Sequence, residues 1–244
     1  MYNDGPGPTL HIAGPGSEVK GEKPQMEKAV GWYSSTLGKK VLMAGTGIIL
    51  FGYLVGHMLG NLQIFMGAEQ INRYAELLHS NLAFLWAVRL VLLFCIGVHI
   101  VAAVQVWLRS RQARPVRYKV FNPPAVDYAA KTMVWSGPII AAFIAYHLAH
   151  LTVGCVHPQY EHLKPFENVI IGFQSAPVAI AYIVALLLLG MHLYHGLWSL
   201  FQTMGWDHAR LGAWRRPLAI VLTVVIISGF LSVPLAVMTG VLHL

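Results

Sequence analysis

The chain has 244 residues, 56% of them hydrophobic and 11% charged, with a mean hydropathy of +0.58. Soluble domains carry about 25% charged residues, so this composition excludes one and indicates an integral membrane protein. A formal charge of +7 would suit a nucleic-acid partner, but the 17 Lys and Arg are gathered in alternate loops, which speaks against that class.

In chain order, residues 1–30, with Gly5-Pro6-Gly7-Pro8 and Gly14-Pro15-Gly16, read as a flexible arm. Five acid-free apolar runs follow, over 41–65, 82–107, 133–156, 176–201 and 218–242. Each has the roughly 20 residues that a helix needs to cross a hydrocarbon core of about 30 Å. Lipid offers no partner to free backbone groups, and the runs lack the alternation of a barrel strand. The expected fold is therefore all-α, a five-helix membrane domain over 31–244. The first run is too long for a signal peptide and lacks a small-residue cleavage site, so no processing is expected.

Lys20, Lys23, Lys28, Lys39 and Lys40 precede the first run. Arg109, Arg111, Arg114, Arg117, Lys119 and Lys131 separate the second from the third, and Arg210, Arg215 and Arg216 the fourth from the fifth. The opposite loops hold only Arg73 and Lys164. This bias predicts a cytoplasmic N-terminus and an external C-terminus, with Trp107, Trp135, Trp206 and Trp214 as anchors near the inner surface.

Imidazole is rare in hydrocarbon, yet AYHLAHLTVG (145–154) and GMHLYHGLWS (190–199) each hold two histidines three residues apart. At a rise of about 1.5 Å per residue, His57 and His147 lie roughly 24 and 21 Å from the inner side. His99 and His192, on helices running the other way, lie about 12 to 14 Å from it. Two histidines at each of two depths suit two six-coordinate haem irons. Intramembrane histidines also serve as hydrogen-bond partners or proton relays, so a haem-free histidine-lined proton or metal transporter remains an alternative. Cys95 and Cys155 form no CxxCH motif, so any haem is b-type. Gly52, Gly56 and Gly60 make a groove on the first helix that suits either a porphyrin edge or a neighbouring helix.

The stretches SSTLGKKVLMAGTGIILFGYLVGHMLGNLQIF (34–65), VRLVLLFCIGVHI (88–100), YHLAHLT (146–152) and MHLYHGLWSLFQTMGW (191–206) resemble the cytochrome b membrane anchor of type B succinate:quinone oxidoreductases. The similarity runs from about residue 32 to the end. It implies two haem b groups with one ligand from each of the first four helices, and residence in a prokaryotic cytoplasmic membrane. It further implies an iron-sulfur subunit and a flavoprotein bound on the cytoplasmic face, which hold the iron-sulfur clusters and FAD. Quinone, with menaquinone expected, is the membrane substrate, and this chain contributes no succinate chemistry. A bis-histidine cytochrome b of a membrane hydrogenase or formate dehydrogenase is the other haem-binding alternative; its electrons would arrive from the outer face, which the basic inner loops disfavour.

In the family the third-helix ligand opens an HLxxLT-like run and the fourth-helix ligand precedes a glycine by four, matching His147 and His192. His150 and His195 are then neighbours to a propionate or quinone. Arg89, within the second helix, either snorkels outward or pairs with propionates of the outer haem. At the inner mouth, Ser34, Ser35, Lys39 and Lys40 are further candidates, with Ser35 foremost and both lysines equally readable as solvated anchors. Some fumarate reductases have a proton-carrying glutamate two residues before the fourth-helix ligand. Here that position is Gly190, and no Asp or Glu lies in any run, so electron transfer through the chain is expected to be electrogenic.

Overall fold

The computed structural model describes residues 31–113, 128–205 and 209–244. The arm of residues 1–30, Arg114, Arg117, Lys119 and Trp206 lie outside the described residues. Among the described residues there is no strand. The helices are α1 (Thr36–Leu62, extended by a 3-10 turn Gln63–Met66), α2 (Ala68–His79) and α3 (Leu82–Gln112). They continue with α4 (Tyr128–His147, extended by a π turn Leu148–Val153), α5 (Pro165–Gln174), α6 (Ala176–Thr203) and α7 (Ala209–Met238). Among the described residues, five stretches are long and apolar enough to cross a membrane: 36–66, 82–112, 131–153, 176–203 and 213–238.

Local chemistry moves the boundaries away from those of the apolar runs. Ser35 caps α1, its Oγ accepting from Gly38 N–H at 2.9 Å, so the helix starts five residues before Val41. Good helix formers such as Lys39 and Lys40 extend it beyond its apolar part. The third span ends at Val153 rather than 156 because Gly154 turns left-handed at φ +81. A side chain there would run into the Tyr160 ring. The last helix ends at Met238 rather than 242: Gly240 takes φ +76, and Leu242 N–H returns to Ala236 O at 3.0 Å.

Two short helices join the spans at one end of the bundle, the cap end, where the sequence reading assigned no element. In α5, Pro165 fits the first turn because it has no N–H to satisfy, and Glu167 complements the helix dipole. Asn72 of α2 ties the two together, donating to Glu167 Oε2 at 3.0 Å and accepting from Phe166 N–H at 3.2 Å. The opposite, basic end carries Lys40, Arg109 and Arg111, with Trp107, Trp135 and Trp214 exposed beside them.

Helix α3 packs on α1, α1 on α6 and α7, α7 on α6, and α6 on α4. The backbones of α1 and α4, and those of α3 and α6, scarcely approach. One buried cluster joins Ile64, Ile71, Ile170, Phe173, Tyr182 and Val233 at the cap end; a second joins Met58, Leu193, Leu197, Ile226 and Phe230 of α1, α6 and α7. Large apolar side chains such as Leu90, Phe94 and Val224 point outward, as helices facing lipid require.

Candidate functional site

His57 of α1 meets His147, the last residue of α4, with ring centroids 5.8 Å apart and planes at 78°. Tyr53, one turn before His57, stacks on its ring at 5.4 Å, and Phe230 of α7 lies at 5.7 Å. Phe143 and Tyr182 flank His147 at 6.0 and 5.8 Å. A second pair, His99 of α3 and His192 of α6, has its centroids 6.2 Å apart and its planes at 53°. Each pair therefore bridges two helices whose backbones are otherwise separate. Tyr182, which touches His147, and His192 are ten residues apart on α6, so the pairs are separated by about 15 Å along the bundle.

Polar bonding around the rings is uneven. Nδ1 of His99 lies 3.1 Å from Met43 O and 3.3 Å from Thr46 Oγ1. A carbonyl only accepts, so Nδ1 carries the proton and Nε2 keeps its lone pair. Nδ1 of His147 and of His192 are buried without a hydrogen-bond partner among the described residues. A buried ring nitrogen without a partner calls for something else to fix the ring.

The spacing matches an iron between two imidazoles. Metal–imidazole bonds of about 2 Å, with about 1 Å more from each nitrogen to its ring centre, place the centroids about 6 Å apart. The surface of α1 is open at two of its glycines. A Cβ on Gly52 or Gly56 would meet nothing within 4 Å among the described residues. The groove is thus open at these two positions, and no neighbouring helix fills it there. Gly60 differs, since the Tyr74 ring lies 3.0 Å from its Cβ position. Gly47 makes room for His99, whose Cε1 is 3.6 Å from the corresponding point.

The second histidine of each motif sits differently. His150 is buried beneath α5, with Nδ1 3.0 Å from Tyr182 Oη. His195 has its ring 6.0 Å from Trp198. His147 and His150 diverge because the π turn begins directly after His147. A π turn carries more residues per turn than an α turn, so three residues sweep a smaller arc and His150 swings toward the cap. It does not share the interior of His57 as an uninterrupted α-helix would have it.

Arg89 is half-buried, its guanidinium 5.2 Å from the Trp86 ring. Ser35 is occupied as the cap of α1, its hydroxyl donating to Trp32 O at 2.7 Å. Lys39 corrects the solvated reading for that lysine: it is 4% exposed, with Nζ donating to Tyr33 O at 3.2 Å and lying 4.1 Å from the Tyr33 ring centre. Its neighbour Lys40 is exposed, and Arg109 donates to Ser34 O. Gly190 is buried against α7, its Cβ position 3.3 Å from Ile227 Cγ1.

Tyr53, Thr46 and Tyr182 are parts of these surroundings that the sequence reading did not single out. Tyr53 and His57, four apart on one helix, carry a local signal. Tyr182 has none, since its partners lie on α4 and α5. No family model matches this chain, and neither does any curated protein or solved structure with which it was compared.

Proposed function

We propose that this chain is the di-haem cytochrome b anchor of a succinate:quinone oxidoreductase, passing electrons between an iron-sulfur partner at the basic end and quinone in the membrane. The observation that carries the reading is the pair of histidine bridges, two deep in one bundle and about 15 Å apart along it. That separation is about half of a roughly 30 Å hydrocarbon core. Two redox groups in series therefore reach from near one face to near the other.

His57 and His147 would hold one haem b, and His99 and His192 the other. When bound, each haem supplies a one-electron couple that needs no proton. The chain's own residues bind and orient. Met43 O and Thr46 direct the His99 ring, the Tyr53 ring supports His57, and the apolar helices keep water away. The exposed cations Lys40 and Arg111, with the half-buried Arg109 beside them, suit a cytoplasmic end and a partner docked there. Gly190 packs against Ile227, and the spans contain no Asp or Glu. No carboxylate relay accompanies the electron, so its movement is electrogenic.

The test uses the complex purified through this chain from its native membrane. A flavoprotein and an iron-sulfur protein should co-purify, succinate should reduce b-type α-bands, and a quinone analogue should reoxidise them. A complex whose haems ignore succinate, or one without a flavoprotein, would refute the assignment.

A further inference from the structure

His99 and His147, one from each pair, are held by different means, and Nδ1 of His192 is without a partner among the described residues, as that of His147 is. The His99 ring is tethered through Nδ1 to Met43 O and Thr46. Nδ1 of His147 has no such tether among the described residues, and its ring is held by the rings around it. Metal-binding histidines almost always have their other nitrogen hydrogen-bonded, which fixes the ring plane. Something else must fix the plane of His147.

The structure offers one continuous series of contacts that does so. In α5, Asn168 O accepts from His157 Nε2 at 2.9 Å, while His157 Nδ1 accepts from Gln159 N–H at 3.1 Å. Both nitrogens of His157 are thus committed, and its ring lies 4.9 Å from that of His150. His150 is 1% exposed, stacked on Tyr146 at 5.5 Å and 10°. Helix α5 closes over it without a gap: a Cβ on Gly172 would lie 2.8 Å from His150 Cε1 and 3.0 Å from Nε2. Nδ1 of His150 then bonds the Tyr182 hydroxyl. Tyr182 is wedged between Phe143 at 4.9 Å and Phe173 at 4.8 Å, and meets His147 at 5.8 Å and 63°. A buried phenol needs a polar partner; meeting that need here also fixes where the ring lies against His147.

We propose that Tyr182, clamped by His150 beneath α5, is the positioning residue that sets the plane of the His147 ring. It takes the part that a hydrogen bond plays for His99. This rests on the reading of His57 and His147 as an iron-binding pair.

The test is low-temperature electron paramagnetic resonance of the oxidised, assembled complex. The largest g-value of a low-spin bis-imidazole haem depends on the angle between the ligand planes. The signal altered by His57→Met reports the pair at the cap end, and that altered by His99→Met the other. Tyr182→Phe keeps the ring and removes the clamp; Gly172→Ala pushes on His150 from a helix that holds neither ligand. Both should shift the cap-end g-value and leave the other unchanged. His150→Ala should do the same, and His150→Gln, able to bond the Tyr182 hydroxyl, should return it toward wild type. A cap-end signal unmoved in Tyr182→Phe overturns the proposal, as does equal movement of both signals. Wild type lacking two low-spin signals would instead remove the di-haem reading, and this inference with it.

Discussion

Replacing Thr46 with valine preserves shape and removes one hydroxyl from beside His99. The hydroxyl has a single proton, and Leu42 O is its nearest acceptor at 2.8 Å, so an oxygen lone pair is left toward His99 Nδ1–H at 3.3 Å. Met43 O, at 3.1 Å, remains in place, so the ring keeps its orientation and the haem is retained. The lost bond is longer than an ordinary N–H···O contact, which places it near the low end of a net range of about 0.5 to 1.5 kcal/mol. About 0.5 kcal/mol corresponds to roughly 20 mV for a one-electron couple. An imidazole that loses an acceptor becomes a poorer electron donor, favouring ferrous over ferric iron. Only the part of that energy that differs between ferric and ferrous iron moves the potential, so the midpoint of one haem should rise by at most about 20 mV, with the other unchanged, in a redox titration resolving the two α-band components. A fall in potential, or a shift in both components alike, would refute the reasoning.

Gly47→Ala should be tolerated, since its Cβ would stand 3.6 Å from His99 Cε1, whereas Gly47→Leu should displace the ring and remove one haem from the spectrum. Asn168→Ala removes two bonds to the backbone of Glu161, at 2.9 and 2.7 Å, together worth about 2 kcal/mol. Hydrogen exchange over residues 154–164 should then speed up by roughly 30-fold if opening is local. Proteoliposomes carrying the complex should develop a membrane potential during quinone turnover with an external reductant. Their failure to do so would show that protons follow the electron by a route other than acidic side chains in the spans.

Much of the fold was legible because a bilayer imposes so strong a condition. Acid-free runs long enough to cross it have few alternatives to helix, and all five appear as such. Their ends were less legible, because Ser35, Gly154 and Gly240 act through turn geometry rather than hydropathy. The helices α2 and α5 are too short to stand out as spans, α2 is also mixed in polarity, and both owe their place to packing and to the Asn72 bonds. The two depths followed from the helical rise and the alternating direction of the spans. That arithmetic places His57 with His147 and His99 with His192, as they are found in the structure. The position of His150 did not follow, since a uniform α-helix was assumed where a π turn occurs. Nor did the burial of Lys39, because a lysine next to a membrane surface ordinarily reaches water.

The most direct measurement is the haem content of the purified, assembled chain, counted by pyridine haemochrome against protein. Two b-type haems per chain are expected, falling to one in His147→Ala and in His192→Ala, with both retained in His150→Ala. A colourless preparation, or loss of haem with His150 while His147→Ala keeps both, would contradict the pairing of imidazoles on which the proposed electron path depends.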